Sequence, residues 1–128
     1  MLSNQKLVAF VPVRNADTAR AFYHGKLGLH LVMEDNFALV FEVAGVRLRA
    51  TLIPDFQPQK FTVLGWEVPD ADGFARQLAA AGIQFERYPG IEQDALGVWR
   101  APGGAKVAWF RDPDGNVLSI SQHPNHQA

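Results

Sequence analysis

The sequence predicts an α+β fold built from two copies of a β-α-β-β-β module. One observation behind this is the order of strand-like and helix-like segments, which occurs twice in the 128 residues. The other is a pair of short motifs that recur along the chain. Val-Arg-Asn-Ala-Asp at residues 13–17 matches Val-Pro-Asp-Ala-Asp at residues 68–72, and Gly-Val-Arg-Leu-Arg at residues 45–49 matches Gly-Asn-Val-Leu-Ser at residues 115–119, at offsets of 55 and 70 residues. Such a repeat indicates two similar units that bury a shared surface.

The first module is expected over residues 6–53. Residues 6–13 are rich in large and β-branched side chains, which favours a strand. Asn15 can cap a helix over residues 16–24, with Asp17 in the first turn, where the helix dipole stabilises an anion. Three further strands are predicted, at residues 29–33, 37–43 and 46–53.

The second module is expected over residues 61–122, after a linker at residues 54–60 that contains two prolines. Pro113 and Gly115 suit the tight turn of a closing hairpin. The offset between the two copies of the second motif is 15 residues longer than that of the first, mainly because the second module has an additional loop at residues 89–103. Long loops often carry binding functions. The predicted elements are a strand at 61–68, a helix at 71–81 capped by Asp70, a strand at 83–88 and hairpin strands at 106–111 and 117–120.

Composition excludes several classes of function. The formal net charge is −1, so there is no basic excess to follow a phosphate backbone, and no nucleic-acid partner is expected. No apolar run reaches the length of a membrane span, and the N-terminus lacks a signal-peptide pattern. The absence of cysteine rules out disulfides and thiolate chemistry. We therefore expect a cytoplasmic protein without a membrane partner.

Three signatures together identify a family resemblance. They are Ala-Phe-Tyr at residues 21–23 leading to Leu-Gly-Leu at 27–29, the repeated element order, and Asp-Pro-Asp-Gly-Asn at 112–116. In this order and spacing the chain resembles the glyoxalase / bleomycin-resistance / extradiol-dioxygenase superfamily, also called vicinal oxygen chelate (VOC) proteins. The resemblance covers residues 6–122.

The resemblance implies a single VOC domain over residues 1–128, in which the curved sheets of the two modules surround a central pocket. It also implies a homodimer, because two-fold association is common in the superfamily. Tyr23 belongs to the family's Phe-Tyr pair, which packs the helix on its sheet, so we interpret it as structural.

In metal-using members each module supplies two ligands, typically His and Glu, from its first and last strands. Carried over residue by residue, those positions fall on Val8, Arg49, Val63 and Ser119, which cannot make such a site. A one-residue slip offers Ala9, Ala50, Thr62 and Ile120, which is no better. None of the four histidines falls on these positions: His24, His30, His123 and His126. We therefore expect neither a metal nor another cofactor.

If Arg49 points inward where a ligand would, Arg47 shares its face, because side chains alternate along a strand. A guanidinium in an apolar pocket could clamp a carboxylate, phosphate or enolate oxygen. Glu67 has the inward parity of its own strand and could be the partner of Arg49 or a proton acceptor. Two structural alternatives stand beside this interpretation. Arg49 and Glu67 could neutralise each other, or both arginines could lie on a solvated sheet face.

Aromatic side chains suit a flat ligand. Trp99 follows the long loop and is the stronger candidate for ligand contact, whereas Trp109 could equally belong to the core. The parity of Trp66 points it toward the helical layer, which predicts a core role. Glu92 and Asp94 of the loop are expected to be solvated. The predicted ligand-binding residues are Phe10, Arg47, Arg49, Glu67, Trp99, Trp109 and Ser119.

Two functions follow from these residues and the resemblance. The first is a metal-free protein that binds and sequesters a small, partly aromatic or anionic molecule, as the drug-resistance members of the superfamily do. The alternative is a VOC-type enzyme of the lyase, isomerase or dioxygenase class. Such an enzyme would be metal-independent, with Glu67 as base and Arg49 as oxyanion partner, or would use a metal at a shifted site. The loss of all four ligand positions favours the binding protein.

Overall fold

The computed structural model describes residues 1–124, so His126 lies outside the described residues. The chain divides into two compact units, the first over Met1–Gln57 and the second from Pro58 onward. Each unit contains one four-stranded sheet. No helix within residues 1–124 is long and apolar enough to cross a membrane.

The first unit has a mixed sheet in the strand order β1-β4-β3-β2. Strand β1 runs parallel to β4, and the other neighbours are antiparallel. The elements are β1 (Val8–Val13), α1 (Ala16–Ala19) continuing into a π-helical segment (Arg20–Lys26), β2 (His30–Glu34), β3 (Ala38–Val43) and β4 (Val46–Leu52).

The helix of the first unit begins as predicted and then widens. The backbone N–H of Thr18 donates to Oδ1 of Asn15 at 3.1 Å, which confirms the predicted cap. From Arg20 the chain forms π-helical turns instead of the predicted α-helix, and both Phe22 and Tyr23 are buried there although they are consecutive. The Tyr23 ring is fully buried at 5.9 Å from the ring of Phe41 in β3, which confirms its structural role.

The second unit has a mixed sheet in the strand order β5-β8-β7-β6, with β5 parallel to β8. Asp70 caps its helix by accepting the backbone N–H of Gly73 at 3.1 Å. The elements are β5 (Thr62–Glu67), α2 (Ala71–Ala80), β6 (Trp99–Arg100), β7 (Lys106–Arg111) and β8 (Val117–Gln122).

The predicted strand at residues 83–88 is wrong. Only an isolated bridge joins Phe85 to Phe110, and the short strand β6 occupies the sheet edge instead. The side chain of Gln93 explains the difference. Its Oε1 accepts the N–H of Tyr88 and its Nε2 donates to the carbonyl of Glu86, both at 2.8 Å. Backbone groups that a ladder would pair are therefore satisfied by a side chain.

The hairpin between β7 and β8 forms as predicted. Oδ1 of Asp112 accepts the backbone N–H groups of Asp114 and Asn116, both at 2.9 Å. Gly115 has φ 90°, a left-handed conformation that favours glycine. The side chain at the start of the turn thus fixes its geometry.

The two parallel strand pairs confirm the alignment of the repeat. Phe10 pairs with Arg49 in the first sheet, and Gly65 pairs with Ser119 in the second. These pairs are related by the same offsets of 55 and 70 residues that the sequence motifs show. The predicted α+β fold of two β-α-β-β-β modules is therefore confirmed.

Candidate ligand-binding surfaces

Three aromatic side chains form a cluster in the second unit. The indole of Trp99 in β6 stacks on that of Trp109 in β7, with ring centroids 6.0 Å apart and planes inclined by 28°. Tyr88 meets Trp109 edge-on at 5.4 Å and 81°. All three side chains are only partly buried. We name Tyr88, Trp99 and Trp109 the aromatic cluster.

The sheet places the aromatic cluster on the same face as two other predicted residues. One row of cross-strand pairs contains Trp109 and Ser119. The next row on the same face runs from Trp99 through Val107 and Ser121 to Glu67. Trp66 instead pairs with Ile120, which is buried on the opposite face, as its parity predicted.

Ser119 lies between Trp109 and Gly65 in its row and is 9% exposed. A Cβ atom at residue 65 would lie 2.6 Å from the hydroxyl oxygen of Ser119. Glycine therefore allows β5 to approach the serine closely. Glu67 is exposed and has no hydrogen bond or ion pair within the described part of the second unit.

The loop after Tyr88 lines an open pocket of about 670 Å³. This volume lies within the range of about 300–1,000 Å³ that small-molecule sites occupy. Trp99 forms part of the wall, so the pocket adjoins the aromatic cluster. The lining residues are Gly90, Ile91, Glu92, Gln93, Asp94, Val98, Trp99, Arg100, Ala101 and Pro102.

The pocket loop is held by its own side chains. Oδ1 of Asp94 accepts the backbone N–H groups of Leu96 and Val98 at 2.9 and 3.0 Å. The guanidinium of Arg87 donates to the carbonyl of Asp94 at 2.7 Å. The prediction that Asp94 is only solvated is therefore wrong, because its carboxylate organises the loop, whereas Glu92 is exposed as predicted.

Two ion pairs involve β7: Arg111 lies on the same face of the strand as Trp109, whereas Lys106 lies on the opposite face, toward α2. Nζ of Lys106 donates to Oδ2 of Asp72 at 2.9 Å, and this hydrogen bond is the main reason why the pKa of Asp72 is lowered. Nε of Arg111 donates to Glu86 at 2.7 Å. Burial raises the pKa of Tyr88, and the charge of Glu86 adds to the effect, so the phenol is neutral at physiological pH.

In the first unit, Arg49 lies in a row that crosses all four strands, with Phe10, Val40 and Met33. The neighbouring residue Leu48 points to the opposite face of the sheet and is buried there. The face that carries Arg49 is therefore the more exposed of the two. Phe10 is 61% exposed, an unusual state for a large apolar residue within a strand.

Arg47 and Arg49 differ in their partners. Nε of Arg47 donates to Oε1 of Glu42 at 3.0 Å. Arg49 is half-buried and makes no hydrogen bond or ion pair within the described residues of the first unit. Hydrogen bonds from the backbone N–H groups of Phe37 and Ala38 lower the pKa of Asp35, and the charge of Arg49 adds to this effect.

The positions at which the superfamily resemblance implies metal ligands do not fit a divalent metal. Val8 and Val63 have no donor atom, the Arg49 guanidinium is a cation, and Ser119 offers only a neutral hydroxyl. Within residues 1–124, no group of three or more His, Cys, Asp or Glu side chains could hold a metal ion.

Three residues near the candidate site were not predicted as part of it. Tyr88 completes the aromatic cluster, Gln93 fixes the pocket loop, and Asp72 binds a strand beside Trp99. Only Tyr88 carried a signal, since it directly precedes the long loop. Asp72 contacts a residue that is distant in sequence, and Gln93 makes its contacts within an irregular segment, so neither role is visible in the sequence.

Comparison with known proteins identifies the family. A family model described as Glyoxalase/Bleomycin resistance protein/Dioxygenase superfamily matches residues 6–120. Comparison with curated proteins gives no significant match. The family model covers most of the chain, and several solved structures share its fold.

Three of these structures illustrate the likeness. A bleomycin resistance determinant encoded on the transposon Tn5 is 25% identical, with a TM-score of 0.73 over 95% of this chain and 100% of that chain. A lactoylglutathione lyase from Agrobacterium tumefaciens is 17% identical, with a TM-score of 0.73 over 95% and 96% of the two chains. A glyoxalase family protein from Bacillus anthracis is 19% identical, with a TM-score of 0.73 over 94% and 96%. The chain therefore belongs to the glyoxalase/bleomycin resistance protein/dioxygenase superfamily.

Proposed function

We propose that this protein binds a small, partly aromatic or anionic molecule without a metal and sequesters it. The observation that carries the proposal is the stacked pair of Trp99 and Trp109 beside a pocket of about 670 Å³. A partly exposed indole stack offers a flat ligand both apolar area and favourable ring contacts. The 25% identical bleomycin resistance determinant is consistent with a resistance or sequestration function.

Arg49 supports the anionic part of the proposal. Its guanidinium is half-buried, has no ion-pair partner within the described residues of the first unit, and lies beside the exposed ring of Phe10. An unpaired guanidinium next to an aromatic ring can bind a carboxylate or sulfonate while the ring contacts the body of the ligand.

The experiment is a titration with N-phenylnaphthylamine, a neutral fluorescent aromatic probe, together with a thermal-shift screen of aromatic acids and antibiotics. We expect Trp99→Ala to weaken probe binding by roughly tenfold, because one face of the stacking surface is lost. Trp66→Ala is the matched control, since it removes the same side chain from the opposite face of the sheet. It should lower stability without changing affinity. Equal probe affinity in Trp99→Ala and the wild-type protein would overturn the proposal.

The alternative is a VOC-type enzyme in which Glu67 acts as a base. The observation in its favour is that Glu67 is exposed and without an ion pair in the second unit, on the same sheet face as Trp99. Mass spectrometry of a ligand found in the screen separates the two functions. A binding protein returns it unchanged after prolonged incubation, whereas an enzyme converts it with turnover.

A homodimer and a cytoplasmic location stay predictions from the resemblance and the composition.

A further inference from the structure

The two-residue strand β6 places like charges opposite each other. Trp99 pairs with Val107 and Arg100 pairs with Lys106, and these two pairs are the whole of the β6–β7 ladder. Like charges directly opposite each other destabilise strand pairing. So short a ladder has only two cross-strand pairs of its own, and it is extended by the N–H of Ala101, which donates to the carbonyl of Ala105 at 2.7 Å, and by a bridge from Trp99 to Gln93.

A carboxylate from the helix neutralises this pair. Oδ2 of Asp72, in the first turn of α2, lies 2.9 Å from Nζ of Lys106 and 3.6 Å from the guanidinium of Arg100. The Asp72 and Lys106 side chains are each 24% exposed, so their interaction is screened less than one at the open surface. A single acceptor oxygen thus lies within reach of both cations.

We infer that Asp72 is a positioning residue, which holds β6 in the sheet and thereby holds Trp99 against Trp109. Neutralising the repulsion between Arg100 and Lys106 keeps the β6–β7 ladder closed. Trp99 is the residue before Arg100 in that ladder, so its ring position follows the position of the strand. The functional consequence rests on the proposed function, whereas the structural consequence does not.

Arg100 gives Asp72 a second influence on the same site. Arg100 is one of the residues that line the loop pocket, and its side chain is 58% exposed. Without the carboxylate, the guanidinium would be free to turn away from Lys106 and into the pocket mouth. The position of Trp99 and the charge of the pocket wall are therefore both coupled to Asp72.

The main test is Asp72→Asn, which keeps the shape of the side chain and removes its charge. Amide hydrogen exchange at Trp99 and Arg100 should accelerate by roughly two- to fivefold relative to β8, the size of effect that cross-strand charge pairs produce. Affinity for N-phenylnaphthylamine should fall by a similar factor. The probe is neutral, so a direct charge effect on its binding is avoided.

Asp17→Asn is the matched control. Asp17 is the counterpart of Asp72 in the internal repeat and also lies in the first turn of its helix, but it is 88% exposed and its partner is Arg20, three residues later in the chain. It should leave exchange in β6 and probe affinity unchanged. The rescue variant is Asp72→Asn combined with Arg100→Gln. Removing one of the two facing cations should return exchange in β6 close to the wild-type rate.

Two outcomes would overturn the inference. One is uniformly faster exchange across β6, β7 and β8 in Asp72→Asn, which would indicate general loss of stability. The other is failure of Arg100→Gln to rescue the variant. If exchange in β6 responds as expected but Trp99→Ala leaves probe affinity unchanged, the positioning role stands and the proposed function fails.

Discussion

Arg47 and Arg49 are two residues apart on the same face of β4, but their side chains are in different states. Arg47 pairs with Glu42 on the neighbouring strand, and an exposed ion pair of this kind contributes little to stability. Arg49 is more buried and has no such pair within the described residues of its unit. A half-buried cation of this kind gains more from an incoming anion than a paired one, because no existing contact must be broken.

Replacing Arg49 by Met should therefore separate binding from stability. We expect the free energy of unfolding to change by no more than about 0.5 kcal/mol, because Arg49 makes no hydrogen bond or ion pair within the described residues of its unit and its charge interaction is with the exposed Asp35. Affinity for anilinonaphthalene sulfonate, an anionic aromatic probe, should fall by roughly tenfold, because a charge-assisted contact is lost. Fluorescence titration measures this, with Arg47→Met as the control variant and neutral N-phenylnaphthylamine as the control probe. An equal loss for both probes would assign Arg49 an apolar packing role instead.

At the scale of elements, the local sequence was sufficient to predict the starts of the helices but not the strand at the edge of the second sheet. Asn15 and Asp70 both cap helices as predicted, because capping depends on the residue and its next three neighbours. Residues 83–88 had the composition of a strand, but Gln93 took over the backbone groups of that segment. A side chain that replaces a strand partner from an irregular loop leaves no periodic signal in the sequence.

Gln93 is accordingly expected to matter more than its place in a loop suggests. In Gln93→Leu the N–H of Tyr88 and the carbonyls of Glu86 and Gly97 lose their partner. Because the segment is partly buried, we expect unfolding to become easier by about 2 kcal/mol. Urea denaturation measures this change, and Gln84→Leu at an exposed position of the same segment is the control. Equal midpoints for the two variants would show that water replaces these hydrogen bonds without cost.

At the scale of the whole molecule, the repeat made the fold predictable. The motifs that recur at residues 13–17 and 68–72 mark helix starts, and those at 45–49 and 115–119 mark the strands that pair with β1 and β5. The aromatic cluster was only partly predictable, because the stacking of Trp99 depends on a two-residue strand within the irregular part of the second unit. Sheet register is a regular property of the chain, whereas loop geometry depends on individual side-chain contacts.

The same register has a consequence for metal binding. Arg49 occupies the last-strand position in the first module, where its charge would repel a divalent ion, and Ser119 at the matching position offers a neutral hydroxyl. Val8 and Val63 offer no donor at all. We expect protein prepared without an affinity tag to contain only substoichiometric divalent metal by elemental analysis. A metal that bound only the folded protein would raise its melting temperature, so neither a chelator nor added zinc or manganese should shift it. About one metal ion per chain after dialysis, or a lower melting temperature with chelator, would contradict this expectation and favour an enzyme with a shifted metal site.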